Sequence, residues 1–169
     1  MQILPDKLVY DSYAYFRLCS DYSLNGNTKV KPSLKMLSLL SKTDISEIAD
    51  LSHKEAVALM LPKISPKYRN QVAAIEDTLD SRYKIDADCE DDELINKTTY
   101  GLYQILNFTP KDCYRNLQIR QEVYSHLYDL SELRSPSSQG YRFNILKRMV
   151  NEVPKNNNGD YDYNPLNIA

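Results

Sequence analysis

His53 and His126, the three cysteines Cys19, Cys89 and Cys113, and the acids between Asp86 and Glu93 are the side chains that invite a chemical reading. The acidic run begins with the spacing of a calcium loop: Asp86, Asp88 and Glu90 fall at its first, third and fifth places. That loop needs Gly at the sixth place for its sharp turn and a bidentate Glu at the twelfth. Here those places hold Asp91 and Lys97, so a solvated linker is the better reading. Asp92 and Glu93 then suit the positive start of a helix. The cysteines show no CxxC and no Cys/His spacing for zinc. Cys19 and Cys113 fall at apolar helical positions and are expected as buried thiols, in a reducing compartment. The two histidines have no recognisable partners in sequence and are expected to be structural. No catalytic residue, metal ligand or cofactor is therefore expected, and the chain reads as a non-enzyme.

Composition agrees. The 169 residues include four glycines, too scattered for a Rossmann fingerprint or a P-loop. Net charge is −2, which gives no general field for nucleic acid or an anionic membrane. Outside the acidic run the balance is basic, in three stretches: Lys29, Lys31, Lys35 and Lys42; Lys63, Lys67 and Arg69; and Arg134, Arg142, Lys147 and Arg148. Such a stretch can meet phosphate or an acidic partner, although a solvated face is the common outcome. No basic stretch leads into a long apolar run at the start, and no run is long enough to span a membrane. No membrane role is expected.

The elements that would hold these residues are helices. Asp6 to about Tyr22 keeps helical spacing, and Pro32-Ser33 opens a stripe of Leu34, Leu37 and Leu40. Thr43 is placed to cap a short helix with Ile45, Ile48 and Ala49. Ser52-His53-Lys54-Glu55 is a capping box, and its helix should stop at Pro62. Pro66 opens a helix with Tyr68, Val72, Ile75, Leu79 and Tyr83 in its core stripe. Residues 93–107 resume the period. Thr109-Pro110 is read as the start of the longest helix, to about Leu133. A last helix carries Ile145, Leu146, Met149, Val150 and Val153, and Pro154 ends it. The expected fold is all-α, a compact array of about seven or eight helices over residues 1–153, with an extended C-terminal arm at 154–169.

Leu37–Leu61 has the outline of a helix-turn-helix, which would place Ser52, His53 and Lys54 against nucleic acid. No Gly marks the turn, and the second helix then runs apolar where a reading helix wants Arg, Asn or Gln. DNA reading is thus an alternative and not the favoured one. A third reading makes the acidic run a docking site for a host protein.

The fourteen tyrosines exceed what one small core needs, and interfaces favour Tyr for its area and polar tip. In the arm, Tyr161, Tyr163, Leu166 and Ile168 are spaced to anchor an extended segment on another surface. A small helical body, a long helix at Thr109–Leu133 and an arm at Lys155–Ala169 together resemble the head–tail connector (adaptor or ring) proteins of tailed bacteriophages. The resemblance implies a homo-oligomeric ring among neighbouring structural proteins of a virion, with the arm docked on one of them. Without a phage origin, a cytoplasmic location is expected.

Overall fold

The computed structural model describes residues 5–20, 30–133 and 139–153. Among them are seven α-helices and no strand. They are α1 (Asp6–Tyr15), α2 (Pro32–Ser41), α3 (His53–Met60), α4 (Pro66–Tyr83), α5 (Asp92–Phe108), α6 (Tyr114–Ser131) and α7 (Gln139–Asn151). The all-α expectation holds. The arm at 154–169 lies outside the described residues. The chain gathers into two units, Met1–Ala73 and Ala74–Ala169, divided inside α4.

In the first unit α1 packs on α2, and α2 on α3. Tyr13, Leu37, Ile48, Met60 and Ile64 are fully buried. The first helix is shorter than the spacing suggests, because Phe16–Ser20 widens into a π-helical turn. Helix α2 ends with Lys42 in the left-handed conformation, φ 57° and ψ 39°. Where a short third helix was expected there is one 3₁₀ turn, Ile45–Glu47. Asp44 caps it, accepting from the Ser46 amide, while Thr43 is buried with its hydroxyl against Ser41. The Ser52 capping box forms as read. Past Met60 the chain tightens into a 3₁₀ turn containing Pro62, and Arg69 holds this corner by donating to the Ile64 and Pro62 carbonyls.

In the second unit α6 packs on both α5 and α7. Asp91 caps α5 through the Leu94 amide, so the acidic run ends as a helix start. Close approach is permitted at Gly101, where a Cβ would fall 2.2 Å from Thr78 Oγ1. The Thr109-Pro110 expectation is corrected: α6 begins at Tyr114 with Cys113 as its cap residue. Thr109 instead closes α5, its hydroxyl donating back to the Ile105 carbonyl at 2.6 Å. At 18 residues α6 equals α4 in length.

Two burial expectations also change. Cys19, Cys89 and Cys113 are all half-buried, and none is in a disulfide. Tyr83, expected in a core stripe, is exposed, while Ser81 and Ile85 on either side of it are buried. Conversely Tyr10 and Tyr13, two of the fourteen tyrosines, are core residues.

Candidate docking surface

Helix α7 carries Arg142, Lys147 and Arg148 and no acid. Its position is set just beyond its C-terminus by Glu152. Arg120 on α6 donates from Nε to Glu152 Oε2 at 2.9 Å and from Nη2 to Oε1 at 2.7 Å. The Tyr124 hydroxyl adds a bond to Oε1 at 2.6 Å, and Lys111 Nζ lies 3.4 Å from the same oxygen. The remaining Arg120 nitrogen, Nη1, donates to the Leu106 and Thr109 carbonyls at the end of α5. One guanidinium thus ties the ends of α5 and α7 to the middle of α6. Gln121 adds a bond from Nε2 to the Met149 carbonyl.

The electrostatics follow from burial. The side chains of Arg120 and Glu152 are 9% and 7% exposed. Burial alone would push the Glu152 carboxyl up. Bonds from Arg120 and Tyr124 and the charges of Arg120 and Lys111 outweigh it and hold the carboxyl below its ordinary range. Burial and the bond to Glu152 push the Tyr124 hydroxyl up, so it serves as a donor.

The side of α7 next to this clasp forms a groove of about 420 Å³. Tyr103, Tyr141, Asn144, Lys147, Arg148 and Asn151 line it, with Ile145 at the base. The Tyr103 and Tyr141 hydroxyls meet at 3.0 Å. Arg148 lies over the Tyr103 and Tyr124 rings, 5.8 Å from each centroid. Next to the groove α7 exposes Phe143, Leu146 and Val150, at 65%, 45% and 38%. Steps of three and four put them on one stripe. At 3.6 residues per turn, Lys147 stands between stripe and groove, and Arg142 borders the stripe's other edge. Neither Arg142 nor Lys147 has an ion pair among the described residues. The surface therefore offers apolar area, unneutralised cations and amide groups, which suits a partner that is acidic and aromatic.

No protein-family model matches this chain, and neither a curated protein nor a solved structure does.

The residues singled out in sequence fall elsewhere. The Ser52 hydroxyl accepts from the Glu55 amide at 3.2 Å, and Glu55 Oε1 accepts from the Ser52 amide at 3.1 Å. Both are occupied in starting α3. His53 is half-buried and Lys54 exposed. The 3₁₀ turn ahead of α3 supplies no full first helix for a helix-turn-helix. Tyr161, Tyr163, Leu166 and Ile168 lie outside the described residues. Among the described residues no group of three His, Cys, Asp or Glu is placed to hold a metal ion. No helix there is long and apolar enough to cross a membrane. Sequence reasoning missed Arg120, Tyr124 and Glu152. Their partners lie 28 and 32 residues apart, beyond any local period.

Proposed function

We propose that the chain is a non-enzymatic assembly subunit that binds copies of itself and neighbouring structural proteins through its helical body and C-terminal arm. The observation that carries this reading is the exposed stripe Phe143, Leu146 and Val150 on a helix fixed by a buried ion pair. Large apolar side chains grouped on one face mark interaction surfaces more than chance exposure does. The Arg120–Glu152 clasp keeps that face in one orientation, which lowers the ordering cost of docking. The outline resemblance to phage head–tail connectors supports a ring within a virion as the setting. Anchoring by Tyr161, Tyr163, Leu166 and Ile168 belongs to the same proposal.

Mass measurement of the native protein across a hundredfold concentration range tests it. A discrete multiple of the 19.6 kDa chain is expected. A monomer at every concentration that also captures no structural partner would overturn the reading.

A further inference from the structure

The corner where α4 passes into α5 is the chemical complement of the α7 surface, and both belong to the second unit. Asp86, Asp88, Glu90, Asp91, Asp92 and Glu93 are all exposed there. None of the six has an ion pair among the described residues. Lys84, the cation beside them, is already held by Asp80 at 3.2 Å. Two of the carboxylates serve the fold: Asp86 accepts from the Asp88 amide and Asp91 from the Leu94 amide. The others point their charge at solvent, and Tyr83 stands next to the run with 68% of its surface exposed. Helix α7 is the reverse case, with three cations, no acid and an apolar stripe.

We propose that α7 of one copy seats the α4–α5 corner of a second copy, the second copy's Tyr83 on the Phe143–Leu146–Val150 stripe and its acids on Arg142 and Lys147. The inference rests on the assembly reading and deepens it by naming both faces of the contact. Charge complementarity selects the occupant. The corner is acidic and carries an exposed aromatic ring, the two properties that suit the α7 surface, and one contact neutralises two sets of unpaired charges. Laying α7 on α7 of a second copy would instead set three cations against three cations, a like-charge juxtaposition that costs binding. The α7 cations stand on both edges of the stripe. The acids are spread from Asp86 to Glu93, so separate carboxylates are available for the two edges, around an apolar centre. Since the two faces are different patches, the contact is head to tail. Each copy gives α7 to one neighbour and its corner to another, and the series closes as a ring or runs on as a filament.

Native mass measurement of charge-reversed full-length chains tests the contact. Arg142→Glu with Lys147→Glu reverses the α7 face. Asp88→Lys with Glu90→Lys reverses the corner and leaves the Asp86 and Asp91 carboxylates in place. Each double variant alone should keep its helix content and associate at least tenfold more weakly than wild type. Mixing the two in equal amounts should restore the wild-type mass, because each reversed face then meets its complement. A damaged fold would not be rescued by mixing, so failure of the mixture to recover overturns the proposal. A corner variant that associates like wild type also overturns it. Weakening of the α7 variant alone then assigns that surface to a different face of the second copy. A wild-type oligomer unmoved by either variant sinks this contact and spares the assembly reading, whereas a wild-type monomer at every concentration sinks both.

Discussion

Arg120 and Glu152 share two hydrogen bonds, at 2.9 and 2.7 Å, with less than a tenth of either side chain exposed. Taking one partner away leaves the other charged and buried, which costs about 3–5 kcal/mol. Glu152→Ala should therefore lower the unfolding free energy by that amount, read as a denaturant midpoint shift. Glu152→Gln keeps the shape and should cost less. The pH dependence has a fixed sign. The folded carboxyl lies below its ordinary range, so its contribution is complete above about pH 4.3 and is lost as pH falls through the lowered value. The acid limb of a stability–pH curve should flatten in Glu152→Gln.

His126 gives a second pH signature, nearer neutrality. Burial lowers its imidazole first, and the Arg82 charge adds to this, while Asp129 opposes both. Arg82 Nε donates to Nδ1 at 3.2 Å, a bond that needs the neutral ring. Glu122 lies 4.0 Å from Nε2 and does not reverse the direction. The unfolded chain binds the proton more readily, so stability is complete above about pH 6.5 and falls as pH drops through the lowered folded value. Urea midpoints measured from pH 7.5 to 5.5 should decline in wild type and stay level in His126→Gln.

Gly101 is fixed by its neighbour. Since a Cβ there would fall 2.2 Å from Thr78 Oγ1, Gly101→Ala should destabilise by about 1–3 kcal/mol although Ala favours helices. Thr78→Ala should relieve only part of this, because Thr78 Cβ stays 3.1 Å away. A double-mutant cycle on denaturant midpoints checks the coupling.

Legibility in sequence tracked the distance between partners. The Ser52–Glu55 box lies within one helical turn, and it formed as read. Pro66 likewise opens α4 as expected, since a helix start wants a residue without an amide. Thr109-Pro110 carries the same local signal and misled. The Thr109 carbonyl is taken by Arg120, 11 residues on, and its hydroxyl turns back to Ile105, so the residue closes one helix instead of starting the next. The docking surface was half legible. Arg142, Lys147 and Arg148 stand out as a basic stretch, but no local signal separates the exposed Leu146 and Val150 from the buried Ile145. Ile145 alone among the described apolar residues of α7 is fully buried, because α6 covers only one side of the helix.

The exposed side of α7 yields the prediction that bears most directly on assembly. Leu146 and Val150 already lie 45% and 38% exposed, so replacing both with Glu removes little packing within the unit. Helix content and unfolding midpoint should change by no more than about 0.5 kcal/mol, as for surface positions. An interface seated on the stripe would lose apolar burial worth about 1 kcal/mol per residue and gain charges to desolvate. Association should then weaken by at least tenfold for the pair, seen as a shift of the native mass distribution toward the single chain at equal concentration. Arg142→Ala keeps the stripe intact and should weaken association less. An unchanged mass distribution in the Leu146→Glu, Val150→Glu protein would place the contacts between copies on a different face.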